Sequence, residues 1–128
     1  MKKRNASCAC GQLSLVTAGD PVRISVCHCL DCQRRSGSVF AAQARFPASG
    51  VVVAGDSDTF VRVGERKATF HFCRICGSTV YYLIDGDDNI AIPIGAFADP
   101  GFPVPTVSVY EQRKHSWVNM PVDMEHYD

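Results

Sequence analysis

Seven cysteines stand in three short clusters along the 128-residue chain, and their spacing is suited to metal chemistry. The clusters read C-A-C-G from Cys8, C-H-C-L-D-C from Cys27 and C-R-I-C-G from Cys73. One or two residues between cysteines is too short for an ordinary disulfide within a pair, but it lets two thiolates bind one metal ion. Two short pairs can make a closed tetrahedral zinc site, and a trio leaves one coordination position for water or substrate.

Three other roles for these cysteines are less consistent with the sequence. A disulfide framework favours an even count and an export signal, whereas the count is odd and polar residues 1–7 lead directly to Cys8. The cysteine spacings of bacterial and plant-type ferredoxins are both absent, which argues against an iron–sulfur cluster. Unligated buried cysteines are common singly, but they do not account for three close clusters. Zinc is therefore the predicted metal.

The two short pairs have the geometry of metal-binding turns. In C-x-x-C-G the backbone turns so that Cys73 and Cys76 face one ion, and Gly77 tolerates the tight conformation. Cys8 and Cys10 lie on one side of an extended chain because side chains repeat every second residue. Spacing alone leaves open whether the later pair joins the earlier pair or two cysteines of the trio.

The trio is the most self-sufficient of the three clusters. Cys27, Cys29 and Cys32 can reach one ion from a single strand-to-turn segment. His28 lies between two of them, but strand alternation places it on the opposite face. We therefore do not expect His28 to be a ligand.

Composition indicates one neutral domain, residues 1–128, with residues 1–7 and 119–128 as peripheral tails, the first of them frayed. Thirteen basic and thirteen acidic side chains give zero net charge, which argues against a nucleic-acid partner or an anionic membrane. No apolar stretch approaches the roughly 20 residues that cross a bilayer. Because the cysteine usage is of the reduced, metal-binding kind, we expect a soluble cytoplasmic protein. The sequence does not indicate the oligomeric state.

Short alternating segments separated by glycine and proline turns predict an all-β fold. Strands are predicted at 12–16, 22–27, 39–46, 51–53, 59–63, 68–73, 78–84, 90–94 and 107–110. A single helical turn is predicted between Cys29 and Ser36, ended by Gly37. Pro93 removes a backbone donor, so the strand that contains it is predicted to be an edge or a bulge.

Four motifs together resemble one known family. C-A-C-G, C-H-C-L-D-C-Q-R-R-S-G, F-C-R-I-C-G-S and I-P-I-G-A-F-A-D-P are similar to those of the glutathione-dependent formaldehyde-activating (GFA) and centromere protein V family, in its short, domain-only form. The resemblance covers nearly the whole chain. It implies a β-tent, an all-β zinc fold of short antiparallel strands pinned by a four-cysteine zinc site. The implied ligands are Cys8, Cys10, Cys73 and Cys76 for a structural zinc, and Cys27, Cys29 and Cys32 for a second zinc.

The resemblance also implies a reaction. The founding activity of the family forms S-hydroxymethylglutathione from glutathione and formaldehyde, and it is classed as a carbon–sulfur lyase. We therefore expect two zinc ions per chain, with partial occupancy allowed at the trio, and a small thiol or thiol–aldehyde adduct as substrate. The trio is the predicted catalytic site, because zinc lowers the pKa of a bound thiol. The predicted substrate-binding residues are Gln33, Arg34 and Ser36, with Arg35 as a further candidate to hold an anionic substrate.

The open coordination position is expected to face a cleft lined by residues 33–37 and 94–97. Trp117 is expected either to form a wall of this cleft or to anchor the tail. Two other functions are consistent with the cysteines: a zinc-stabilised β module that binds a protein or nucleic acid without catalysis, and a zinc-buffering or thiol-redox protein. The neutral charge and the lack of an aromatic–basic strand pattern count against the binding module.

Overall fold

The alternating segments form strands, and the computed structural model, which describes residues 1–128, is mostly β, as predicted. Only one α-helix is present, and three short 3-10 turns lie at 48–50, 94–97 and 111–113. In chain order the elements are β1 Lys3–Ser7, β2 Ser14–Ala18, β3 Arg23–Cys27, α1 Leu30–Ser36, β4 Ala41–Pro47, β5 Val51–Ala54, β6 Ser57–Arg62, β7 Ala68–Cys73, β8 Thr79–Ile84, β9 Asn89–Pro93, β10 Val107–Val109 and β11 Glu125–His126.

The strands make two sheets of unequal size. The small sheet has the order β1-β2-β5, and the large sheet has the order β11-β10-β3-β4-β9-β8-β7-β6. Neighbours are antiparallel, except that β10 runs parallel to both β3 and β11. Strand β3, which ends at Cys27 of the trio, lies in one half of the large sheet. Strand β7, which ends at Cys73 of the last cysteine pair, lies in the other half.

Apolar side chains from both sheets form one main core. It includes Leu15 from the small sheet and Phe46 and Ile92 from the large sheet, all essentially inaccessible to solvent. The Phe46 ring packs at 6.0 Å from the ring of Phe97, between ring centroids. Cys8 and Cys73 belong to the same buried cluster, so the sulfur ligands of the outer pairs are part of the core.

The N-terminal segment is not frayed, because residues 3–7 form β1 on the edge of the small sheet. Ala6 is buried in the core, and the guanidinium of Arg4 donates a hydrogen bond to the carbonyl of Gly19 at 3.0 Å. The sequence does not reveal this strand because Ala6 is its single apolar residue facing the core.

The prediction that the strand with Pro93 is an edge or a bulge is wrong. β9 pairs with β4 on one side and with β8 on the other, so it is a central strand. Pro93 is its last residue, where the missing backbone N–H is tolerated because the ladder ends there.

Replacing Phe46 with alanine should lower the free energy of unfolding by about 3–5 kcal/mol, because the cavity left in the core cannot close completely. Equilibrium urea denaturation of the metal-loaded protein measures this loss. Val63 is 82% exposed, and Val63→Ala, as the matched control, should change stability by less than about 0.5 kcal/mol. Equal effects of the two substitutions would contradict the placement of the core.

Candidate metal centres and the adjoining cavity

The structure brings the first and last cysteine pairs together. The Sγ atom of Cys10 lies 3.6 Å from Sγ of Cys8 and 3.6 Å from Sγ of Cys73. With Cys76, the four sulfurs all lie within 4.8 Å of one another. Tetrahedral zinc with Zn–S bonds of about 2.3 Å places its sulfurs about 3.8 Å apart. The four thiols are therefore spaced as zinc requires, and the pairing that spacing left open is between the two outer pairs.

N–H donors point at the sulfurs of this four-cysteine cluster. The backbone N–H of Leu13 donates to Sγ of Cys8 at 3.3 Å, and that of Ile75 donates to Sγ of Cys73 at 3.4 Å. The Gln12 amide also donates to Sγ of Cys73 at 3.2 Å. Hydrogen bonds to the charged form of an acid favour it, so these donors support thiolates.

The glycines after the two pairs adopt the left-handed conformation that their turns require. The φ angle is 85° at Gly11 and 80° at Gly77. The N–H of Gly11 donates to the carbonyl of Cys8 at 3.2 Å, and that of Gly77 donates to the carbonyl of Cys73 at 2.8 Å. A side chain at either position would strain the turn that presents the sulfurs.

Closely spaced thiols in this cluster divide their protons unequally. The hydrogen bond with Ser78 lowers the pKa of Cys76 to about 5. At Cys10 the backbone N–H of Gln12 lowers the pKa, but burial and the neighbouring thiols outweigh it and raise the pKa to about 11. A bound metal would displace the remaining protons, so metal binding is coupled to pH.

The trio is assembled by the end of one strand and the start of the helix. Cys27 is the last residue of β3, Cys29 caps α1, and Cys32 lies in its first turn. Sγ of Cys29 accepts a hydrogen bond from the backbone N–H of Cys32 at 3.3 Å, and the left-handed Gly37 ends the helix, as predicted. The three sulfurs lie within 4.8 Å of one another. Three soft donors of this kind suit zinc and leave room for a further ligand.

Two thiols of the trio, Cys27 and Cys32, shift each other's pKa in opposite directions. The hydrogen bond from Cys27 lowers the pKa of Cys32 to about 5, and the charges of Arg35 and Arg62 act in the same direction. The same hydrogen bond raises the pKa of Cys27. Within this pair, ionisation is therefore favoured at Cys32.

His28 is a structural residue of the loop and not a member of the sulfur cluster, as alternation predicts. It is fully buried, and its Nε2 atom lies 3.0 Å from Oγ of Ser108 on β10. Burial lowers the pKa of His28, which keeps the ring neutral. The backbone N–H of His28 also donates to the carbonyl of Val109 at 3.1 Å, so two hydrogen bonds tie the trio loop to β10.

Glu111 contacts His126 at 2.6 Å. Burial alone would raise the pKa of Glu111, but polar contacts with Ser108 and His126 outweigh it and lower the pKa. The bond with Glu111 raises the pKa of His126. Both shifts favour the charged form of the group concerned.

A cavity of about 440 Å³ adjoins the trio on the face of the large sheet that α1 covers. Its wall includes all three trio cysteines, five arginines, two carboxylates and the rings of Phe70 and Tyr82. The guanidinium of Arg35 lies over both rings, 4.8 Å from the centroid of Phe70 and 5.3 Å from that of Tyr82. Arg62 lies over Phe70 from 5.2 Å. Burial raises the pKa of Tyr82 to about 12, so its phenol stays protonated.

The cleft predicted from residues 33–37 and 94–97 is not where this cavity lies, because Arg35 is the only residue of those ranges in its wall. Gln33 instead ties the helix down: its amide donates to the carbonyls of His28 and Arg113, and its Oε1 accepts from His115.

Gln33, Arg34 and Ser36 do not line the cavity, and their role in substrate binding stays a prediction. Trp117 is 68% exposed, so it neither lines the cavity nor anchors the tail, and its neighbour Val118 is the buried residue.

Sequence reasoning missed the arginines on strands β3 and β4. Arg23, Ser25 and Cys27 are every second residue of β3 and therefore share one face of the strand. This spacing could be recognised in the sequence. That Arg45 lies opposite Arg23, and Gln43 opposite Ser25, is a result of strand pairing between segments about twenty residues apart.

Comparisons with known proteins give a matching family model and a similar crystal structure. A family model described as glutathione-dependent formaldehyde-activating enzyme matches residues 3–113. The structure is similar to the crystal structure of a Rhodobacter sphaeroides protein, with a TM-score of 0.56 and 20% identity over 97% of this chain and 99% of that chain. At this identity the likeness concerns the fold alone. No curated protein sequence matches the chain significantly. The single short helix α1 could not cross a membrane, and no other helix is long or apolar enough to do so.

Replacing Cys76 with serine should remove the metal from the four-cysteine cluster and sharply lower the melting temperature. The cluster joins both sheets through the core, and structural zinc contributes on the order of 10 kcal/mol of folding free energy in zinc-finger peptides. Elemental analysis and a thermal melt of the same sample measure the two effects. A soluble variant with unchanged metal content and unchanged melting temperature would contradict a structural role.

Replacing Cys29 with serine should leave a folded protein that keeps one metal ion and loses the other. Cys29 is partly exposed at the start of α1, and its loss removes one of only three sulfurs without opening the main core. Metal content per chain and the melting temperature again decide the result. A variant that keeps two ions, or that loses both, would contradict the division into four and three.

Proposed function

The chain belongs to the glutathione-dependent formaldehyde-activating family, and from this premise we propose that it is a zinc-dependent carbon–sulfur lyase that acts on the adduct of a small thiol with an aldehyde. The family implies chemistry related to glutathione and formaldehyde. The observation that carries the proposal is the three-cysteine cluster, which opens onto a cavity instead of being closed by a fourth protein sulfur.

The two clusters differ in the way that structural and catalytic zinc sites differ. Two of the four outer cysteines are buried in the main core, and four sulfurs would complete a closed tetrahedron. The trio forms the wall of a cavity large enough for a small molecule. We assign a structural zinc to Cys8, Cys10, Cys73 and Cys76, and a second, catalytic zinc to Cys27, Cys29 and Cys32. When bound at the trio, zinc would supply a position at which the pKa of a substrate thiol is lowered.

The reaction needs no oxidant or reductant. In the direction of synthesis the thiol loses its proton, its sulfur forms a bond to the aldehyde carbon, and the π electrons of the carbonyl move to the oxygen, which takes up a proton. In the reverse direction the carbon–sulfur bond breaks and the carbonyl forms again. The site must therefore hold a sulfur, stabilise charge that develops on oxygen and limit competing hydration.

Residues of the cavity wall can meet these requirements. The phenol of Tyr82 stays protonated and can donate a hydrogen bond to a developing alkoxide. The guanidinium groups of Arg35 and Arg62, held over the Phe70 ring, provide positive charge beside the trio for an anionic thiol. The apolar faces of Phe70 and Tyr82 lie against Arg35, and they would limit the water beside a bound substrate. A reduced thiol substrate and reduced cysteine ligands are both typical of the cytoplasm, which is the compartment we propose.

The zinc-loaded protein should accelerate the interconversion of glutathione plus formaldehyde with S-hydroxymethylglutathione. Exchange NMR measures this rate above the spontaneous background. Cys29→Ser should return the rate to background, a loss of about 100-fold or more if zinc supplies the reactive thiolate, whereas Trp117→Phe, at an exposed site outside the cavity, should not change it.

A cobalt-substituted protein provides an independent readout, because a sulfur ligand that enters the trio changes the visible absorption of the metal. If a protein with two metal ions shows neither acceleration nor a spectral change with millimolar glutathione or other small thiols, the proposal is wrong. The binding-module alternative would then be favoured.

A further inference from the structure

The cavity beside the trio is strongly cationic, although the chain as a whole is neutral. Five arginines face only two carboxylates in its wall, and the arginines are Arg23, Arg35, Arg45, Arg62 and Arg66. Guanidinium groups this close repel one another, and a low-dielectric wall strengthens the repulsion. Such a cluster is stable when anions lie among its members.

The sulfurs of the trio can neutralise the arginines at only one end of the cavity. Arg35 lies one helical turn after Cys32 on α1, so it is beside the trio, and Arg62 shares the Phe70 ring with it. Arg23 and Arg45 stand opposite each other on β3 and β4. Four residues of extended strand separate Arg23 from Cys27, which is roughly 13 Å along the sheet. At this distance the sulfurs are poor counterions for the far pair.

Few protein carboxylates neutralise the far end. Arg45 contacts Asp87 at 3.3 Å through one Nη atom, whereas Arg23 has no ion-pair partner. Arg66 bonds the carbonyl of Asp85 on the same β8–β9 turn, so a third guanidinium is present at this end. Glu65 also lies in the wall but is exposed to solvent. The far end therefore holds an excess of positive charge.

Polar atoms at the far end are buried without partners. The Nε atoms of Arg23 and Arg45 are buried and make no hydrogen bond. Gln43 lies between this pair and the trio, is 5% exposed, and donates its Nε2 hydrogen to Oγ of Ser25 at 2.8 Å. Its Oε1 atom is buried and has no partner. Buried polar atoms are normally satisfied, so two donors and one acceptor remain for a ligand.

We propose that Arg23, Arg45 and Gln43 form a binding site for the doubly charged anionic head group, a phosphate ester or a dicarboxylate, of a substrate whose other end reaches the trio. Two guanidinium groups with free Nε–H bonds match the several acceptor oxygens of such a group, which form paired hydrogen bonds with arginine. Gln43 accepts a hydrogen bond from an N–H or O–H group in the middle of the ligand. Glutathione, with two carboxylates and one ammonium group, carries less net charge than this end of the cavity can balance.

The identity of the reacting group as a thiol rests on the function proposed above. The anion site rests on Arg23, Arg45 and Gln43 and does not depend on that function. Anion binding is therefore measured in the absence of any thiol or aldehyde. Activity with glutathione but no anion site would overturn this inference alone, and an anion site without carbon–sulfur chemistry would overturn only the proposed reaction.

The first experiment measures the melting temperature of the zinc-loaded full chain with inorganic phosphate, malonate or acetate at about 5 mM and constant ionic strength, because a ligand that binds only the folded state raises it. A rise with phosphate, with malonate or with both supports the site, and the more effective anion indicates which head group the substrate carries. No rise with either, or an equal rise with acetate, overturns it.

The second experiment uses Arg23→Gln. Because Arg23 has no ion-pair partner and faces another arginine, the variant should melt no lower than the wild type in the absence of anion, and its affinity for the effective anion should fall by about tenfold or more in calorimetry. In Arg23→Lys, which keeps the charge but loses the paired donors, the affinity for the anion should fall by less. The matched control is Arg74→Gln, an exposed arginine paired with Asp58 outside the cavity, and it should bind like the wild type. Wild-type affinity in Arg23→Gln would overturn the assignment.

Discussion

This fold depends on one constraint: four sulfurs, two from each sheet, must meet at one place. Cys8 and Cys10 follow β1 of the small sheet, whereas Cys73 is the last residue of β7 in the large sheet and Cys76 follows it. Because Cys8 and Cys73 are also core residues, the ligand cluster and the apolar core are one unit. Four thiolates this close need a cation to neutralise them, so a metal bound here would couple its own binding to the packing of the sheets. In a domain of short strands with one helix of seven residues, that coupling would add to the rigidity of the fold.

The same constraint leaves the trio outside the main core. Since the outer cysteines fix how the two sheets meet, β3 and α1 can present three sulfurs to a cavity without also holding the domain together. The trio has its own small apolar cluster with Ala41, separate from the main core. A hydrogen bond between His28 and Ser108 fixes the loop from behind. A four-cysteine cluster in the core and a three-cysteine cluster at a cavity thus occupy two separate places in one small fold.

Charge in this protein is organised by strand register more than by composition. The chain has no net charge, yet pairing of β3 with β4 sets Arg23 against Arg45, and α1 brings Arg35 over the aromatic pair Phe70 and Tyr82. Guanidinium groups stacked on rings keep their hydrogen-bond donors available in the ring plane while losing little entropy on binding. The result is a cavity whose selectivity is expected to be for anions.

The sequence by itself determined what depends on short-range geometry. Cysteine spacing predicted metal-binding turns because a thiolate pair must reach one ion from neighbouring residues, and Gly37 predicted the end of α1 because only a left-handed residue closes it there. Alternation of polar and apolar residues located most strands, because it too depends only on neighbouring residues. Only the tertiary structure decided which cysteine pairs meet, that β1 exists although Ala6 is its one core residue, and that Arg23 lies opposite Arg45. These contacts join segments far apart in the chain, and they are selected by the total burial of apolar surface when the sheets pack, a quantity that no local pattern contains.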